Sequence, residues 1–111
     1  MDITINKIIE ALNCRRVTGS LSNSAVRDVY IGDLLSWVMG NAPEKCAWVT
    51  IQGHVNIIAV ALLVGASCII IAENAEISPE TITRANDAEI PVLSTPKTAF
   101  EIAGILTSLN K

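Results

Sequence analysis

Aromatic side chains are scarce, with two tryptophans, one tyrosine and one phenylalanine in 111 residues. Half of the residues are nevertheless apolar, so a core has to be built from Ile, Val, Leu and Ala. Histidine occurs once, and cysteine only at Cys14, Cys46 and Cys68, widely spaced and without a C-x-x-C. A structural zinc site takes about four such ligands and here would have to recruit carboxylates, so no metal is expected. Reduced, buried thiols of a cytosolic protein fit the pattern better. Positive charge is also sparse: 8 Lys and Arg stand against 11 Asp and Glu, for a net charge of -3. That balance excludes docking on nucleic acid or on an acidic membrane, both of which need a basic patch. The single adjacent basic pair, Arg15-Arg16, reads as a solvated strand edge. The N-terminus, MDITINKIIEALN, has no basic stretch leading into an apolar one. No secretory signal is therefore expected, and the location implied is cytoplasmic.

Catalytic signatures are missing as well. No G-x-x-x-x-G-K-[ST] is present, so the phosphate-gripping loop and lysine of a P-loop kinase are absent. Nor is there a G-x-S-x-G, and the serines of GSLSNS have no histidine nearby in sequence to activate them. Glu73 and Glu76 flank a turn and read as a solvated rim. The chain is not expected to be an enzyme, and no cofactor is expected.

What dominates instead is an uncharged stretch from Ile57 to Ala72, within HVNIIAVALLVGASCIIIAEN. A membrane span needs about 20 apolar residues, usually with Lys or Arg near one end. This run is shorter, is broken by Gly65-Ala66-Ser67, and is followed by Glu73 and Glu76. Its first half mixes Ala and Leu with β-branched residues and stops at Gly65, where a helix C-cap wants a left-handed residue. Its second half, Cys68-Ile69-Ile70-Ile71, is the short β-branched run of a strand buried on both faces. The prediction is a buried helix, a glycine turn and a central parallel strand.

The remaining elements follow from similar signals. Ile5, Ile8, Ile9 and Leu12 give a first helix one apolar stripe behind a Thr4 cap. A short strand is predicted over Cys14 to Thr18, and a second over Val26 to Ile31. Asp33 is expected to cap a helix with the stripe Leu34, Leu35, Val38 and Met39, closed by Gly40 and Pro43. Ala47 to Ile51 reads as a strand. Ser78-Pro79-Glu80 opens a helix running to about Asp87, with the acid at the positive dipole end. Pro91 to Ser94 is a last strand, and Thr98 to Glu101 has capping-box spacing ahead of a helix through Ile102, Ile105, Leu106 and Leu109. Strands separated by helices of this length predict an α/β fold, one domain over 1–111 with a largely parallel central sheet flanked by helices. A chain of this size buries roughly two thirds of its unfolded surface.

In such sheets ligands gather at the carboxyl ends of the strands, beside helix N-termini. Four segments should arrive there: Gly32-Asp33, Gln52 to Asn56, Glu73-Asn74, and Ser94-Thr95. The candidate ligand-binding residues are Asp33, Gln52, Gly53, His54, Asn56 and Thr95. A glycine admits close backbone approach, the next helix offers free N–H groups, and Gln52, His54 and Asn56 add donors. Simpler roles stand beside these: Asn56 as a helix cap, Gly53 as a tight turn, His54 as a surface or capping residue. Trp37 lies off the apolar stripe of its helix and is the candidate anchor of a homodimer interface.

The run from Val26 to Leu106 resembles the DRTGG-domain family, in particular its small stand-alone members related to HPr-serine-kinase. Gly32-Asp33-Leu34-Leu35-Ser36, Thr50 to Asn56, and Ile90 to Thr95 carry the match. The family is similar to the N-terminal domain of HPr kinase/phosphorylase, an α/β domain without the kinase chemistry, and occurs beside CBS domains and in phosphotransacetylases. The resemblance implies a regulatory, adenine-nucleotide-binding role and a homodimer. The reading is a non-catalytic regulatory module that senses a nucleotide or small anion and serves a regulatory protein partner, with a protein-interaction module without a small ligand as the alternative. Stand-alone members accompany iron-only hydrogenase or redox-regulatory genes, which implies an anaerobic bacterium. The namesake Asp-Arg pair would fall near Gly53-His54-Val55 and is absent here. His54 is left as the substitute donor for the missing arginine fork.

Overall fold

The computed structural model describes residues 2–18 and 22–109. Its element order is β1 (Ile3–Thr4), α1 (Ile5–Leu12), β2 (Arg15–Arg16), β3 (Ala25–Val26), β4 (Asp28–Ile31), α2 (Leu35–Asn41), β5 (Cys46–Thr50), α3 (Asn56–Val64), β6 (Cys68–Ile71), α4 (Pro79–Ala88), β7 (Val92–Ser94) and α5 (Ala99–Leu109). One sheet has the order β2-β7-β6-β5-β4, in which β4 to β7 are mutually parallel and β2 is antiparallel to β7. The largely parallel α/β architecture is therefore as the alternation of strands and helices predicts.

Two apolar layers enclose this sheet. Alternate residues Trp48, Ile69, Ile71 and Val92 meet Val38, Ile57, Ile58 and Ala85 of α2, α3 and α4 on one face. On the other, Ala47, Val49, Ile70 and Leu93 meet Ile5, Ile8 and Leu12 of α1 and Ile102 and Leu106 of α5. Every residue of β5 and β6 is buried, which is why these strands are continuous apolar runs rather than alternating ones. The uncharged stretch divides as its composition dictates. α3 ends at Gly65, whose φ of 74° lets its N–H reach the Ala61 and Leu62 carbonyls. No helix among the described residues is long and apolar enough to cross a membrane.

Local caps form where their residue types stand. Thr4 Oγ1 accepts from Lys7 N, and Ser78 Oγ from Thr81 N with Pro79 in the first turn. Thr98 and Glu101 exchange bonds of 3.0 and 3.2 Å, and the Thr98 amide holds the Glu101 carboxyl below its usual range.

Four details differ from the sequence expectations. The strand expected over Val26 to Ile31 is two. β3 pairs antiparallel with β1, then the chain passes Arg27, whose N–H reaches Lys45 O, and joins the main sheet as β4. Only Arg15–Arg16 of the Cys14 to Thr18 segment is strand, although Val17 N still bonds Val92 O. Asp33 does not cap α2. Leu34 occupies the N-cap without a side-chain bond, because the Asp33 carboxylate is drawn to β5. Lastly, the expected stripe of α2 is largely uncovered: Val38 is buried, but Leu34 is 66% and Met39 44% exposed. This seven-residue helix packs chiefly on α3 among the helices of its face. Part of the GSLSNS loop lies outside the described residues; within it, Asn23 Oδ1 accepts from Asn6 N.

Candidate functional site

The carboxyl ends of β4, β5, β6 and β7 lie side by side, so the four segments picked out in the sequence do reach one edge of the sheet. They do not act alike there. At the β4–β5 end, Asp33 Oδ1 accepts from Thr50 Oγ1 at 2.7 Å and from Ile51 N at 2.9 Å. Gln52 Nε2 donates to Asp33 O, and Trp48 Nε1 to Gly32 O at 2.9 Å. Asp33 and Gln52 thus meet, but their bonds weld two loops together.

Gly53 has a different partner again. A Cβ at this position would fall into the carbonyl oxygen of Glu76 and 3.0 Å from Ile77 Cα. The close backbone approach that glycine permits is therefore to the segment before α4, not to a ligand. The Gly53 carbonyl accepts from Ser78 N at 3.2 Å and from Thr81 Oγ1 at 2.7 Å. Thr95 is fully buried, its N–H bonded to Ile71 O and its hydroxyl accepting from Lys97 N.

His54 and Asn56 keep free groups. His54 Nδ1 accepts from Asn56 N at 3.3 Å, which places the proton of the neutral ring on the exposed Nε2 as a donor. Asn56 is the first residue of α3 rather than its cap, and Val55 takes the N-cap without a side-chain bond. Among the described residues the amides of Gly53, His54 and Val55 have no acceptor, whereas those of Asn56, Ile57 and Ile58 in the first turn of α3 bond His54 Nδ1, His54 O and Val55 O.

The β6–β7 end is built differently. Glu73 and Asn74 both take left-handed φ, 59° and 52°, a conformation uncommon for a side chain such as Glu. The double turn directs their amides to Lys97 O and Thr95 O, each at 2.9 Å. Here the connections diverge: β6 leads to α4 on one face, and β7 leads to α5 on the other. Adjacent strands whose connections leave in opposite directions open a crevice between them. A cleft of about 380 Å³ lies beside that point, lined among others by Arg15, Asn74, Glu76 and Ser94. Sequence reasoning brought Asn74 and Ser94 to this edge but missed Arg15, whose register partner on β7 is Ser94, 79 positions away.

The three thiols are held in their protonated form. Burial pushes the thiols of Cys46 and Cys68 up to about 11 and about 12, and raises that of Cys14. None is a thiolate at neutral pH. No cluster of three or more His, Cys, Asp or Glu able to hold a metal occurs among the described residues.

The fold is similar to the crystal structure of the CBS and DRTGG domains of the regulatory region of Clostridium perfringens pyrophosphatase, complexed with the activator diadenosine tetraphosphate. The TM-score is 0.77 at 16% sequence identity, over 93% of this chain and 45% of that one. The chain therefore spans less than half the length of that structure. No curated protein sequence matches it. A parallel sheet with its loops gathered at one edge is shared by many domains, but the sequence profile that matches residues 7–109 covers every strand of the main sheet, and the chain accordingly belongs to the DRTGG domain family.

Proposed function

We propose that the domain is a non-catalytic regulatory module that senses a nucleotide or small anion at the carboxyl edge of its sheet. The observation that carries this reading is the Gly53 to Asn56 turn, where three amides without an acceptor among the described residues and the exposed His54 lie beside the start of α3. Donors in that arrangement attract an anion, through the partial positive charge of the helix start. Family membership supports the reading, as does the similar fold of a regulatory region that holds a nucleotide activator. The kinship with the N-terminal domain of HPr kinase/phosphorylase, implied by the sequence, points to regulation in the same way.

Screening nucleotides, inorganic phosphate and phosphorylated metabolites by thermal shift is expected to reveal a weak binder, because neutral donors lack the strength of an arginine fork. His54→Ala and Asn56→Ala should each reduce the affinity by about threefold to tenfold. Unchanged affinity in both would move the ligand away from the turn. Phosphate transfer from ATP to a protein serine by the purified chain would overturn the non-catalytic reading.

A second property is favoured by exposed apolar surface. Leu34 is 66% exposed and Trp37 62% on α2, and Leu62 and Leu63 are 57% and 70% exposed on the neighbouring α3. Large apolar side chains left open on adjacent helices mark an interaction surface. We propose a homodimer anchored by Trp37, a surface that would equally receive a regulatory protein partner. Light scattering at micromolar concentration should give the dimer mass, and Trp37→Ala should weaken association at least tenfold, the scale of an interface hot spot. A monomer for the wild-type chain would refute this.

A further inference from the structure

The cleft beside β2 differs from the other depressions in the state of its polar side chains. Around the groove between β4 and α5, Arg27 pairs with Asp2 at 3.8 Å and Asp28 Oδ1 accepts from Val29 N. Beside Gly65, Ser22 bonds Ser24, and Ser67 Oγ donates to Ala25 O. In the cleft, by contrast, the side chains of Arg15, Asn74, Glu76 and Ser94 make no hydrogen bond or ion pair with any described residue. Ser94 is only 6% exposed. No buried side-chain oxygen or nitrogen among the described residues lacks a partner, so the Ser94 hydroxyl opens onto the cleft, where it can bond a ligand group.

The geometry explains why these groups share one space. Arg15 and Ser94 are register partners in the antiparallel β2–β7 pair, so their side chains emerge on the same side of the sheet. Val92, two residues before Ser94, packs in the α2–α4 layer, which places that side under α4. Ile77 and Ile82 supply the opposite wall, and Val17 continues the β2 side. The left-handed pair Glu73-Asn74 turns the chain so that Asn74 to Ile77 form the rim. The backbone contact of Gly53 with Glu76 braces that rim from behind.

We infer that this cleft is a ligand site for a nucleoside monophosphate, distinct from the Gly53 to Asn56 turn. The inference rests on the nucleotide-sensing reading for its role in the domain, and names a separate place and chemistry. Arg15 offers the planar fork that suits a phosphate, with the Ser94 hydroxyl beside it as a further donor. Glu76 is a carboxylate acceptor in the same cleft without an ion pair to Arg15. It would repel bare phosphate, but it suits the vicinal hydroxyls of a ribose held further along. Val17, Ile77 and Ile82 give an apolar surface for the flat face of a base, with the Asn74 amide able both to donate and to accept at its edge. The volume lies at the lower end of the range of small-molecule sites, about 300–1,000 Å³. That suits one nucleotide rather than two.

Titration of the isotope-labelled chain with adenosine monophosphate, followed by amide NMR, tests this. Shifts are expected at Arg15, Asn74 to Ile77 and Ser94. Arg15→Met should weaken binding about tenfold or more, Ser94→Ala about threefold to tenfold, and Arg27→Met, an exposed arginine on the other face of the sheet, should leave it unchanged. Binding that responds to His54→Ala and not to Arg15→Met would overturn the cleft and uphold the turn. No binding of adenosine monophosphate would also overturn the cleft, while phosphate or another nucleotide held at the turn would leave the sensing role intact.

Discussion

Gly53→Ala should destabilise the domain by about 3 kcal/mol, the upper end for forcing a methyl group into packed structure. The new carbon would collide with the Glu76 carbonyl and lie 2.8 Å from its carbon and 3.0 Å from Ile77 Cα. These are backbone atoms that no rotamer change can move aside. Relief requires the β5–α3 turn to withdraw from α4, which also breaks the bonds from Ser78 N and Thr81 Oγ1 to the Gly53 carbonyl. With an unfolding entropy of about 2.1 cal/mol/K per residue, the melting temperature should fall by about 13 °C. Gly104→Ala is the control of opposite sign. It lies inside α5 with no atom within 4 Å of the added carbon, so the substitution should stabilise by about 0.5–1 kcal/mol. Equal melting temperatures for the two variants would refute the close approach.

Trp48→Ala should cost about 4 kcal/mol, within the range for emptying a buried aromatic site. The side chain is wholly buried in the layer between the sheet and α2–α4, and it is the largest residue there. Its indole N–H is bonded to Gly32 O at 2.9 Å, so it also ties the end of β4 to β5. Trp48→Phe separates the two effects, keeping most of the apolar volume and losing only the bond and one ring. About 1–2 kcal/mol is expected for that change. Urea unfolding measures both. A loss under 2 kcal/mol for the alanine variant would show that the cavity collapses or that the indole is not a keystone of this layer.

The features legible in the sequence are those settled within one turn of chain. Thr4, Gly65, Ser78-Pro79 and the Thr98–Glu101 box each act on residues no more than four positions away, and each forms as its residue types require. The alternation that produced the parallel sheet is likewise a local pattern repeated. Asp33 shows where this fails. Its side chain is a sound N-cap, yet Thr50 Oγ1 and Ile51 N, 17 and 18 residues on, offer a better pair of donors once β4 and β5 are adjacent. In sequence Gly53 suggests either a tight turn or an opening toward a ligand, because nothing nearby identifies Glu76 as the group that occupies the space. Arg15 read as solvated for the same reason, since its register with Ser94 exists only after the first and last strands of the main sheet have paired. The exposed flank of α2 illustrates the converse case, an apolar stripe with no surface of this domain to cover it.

The antiparallel direction of β2 also sets where the fold can be joined to other structures. Because β2 begins at the carboxyl edge, α1 must climb toward that edge, while α5 leaves it and descends. The two helices pack together, so the start of α1 and the finish of α5 are neighbours at the amino edge. Any structure joined to those helix ends would meet the domain on that side. The turn before α3 and the cleft beside β2 stand at the opposite edge, clear of such tethers. Joined structure and the proposed ligand sites would therefore stand at separate poles of the domain, with α1 and α5 running between them.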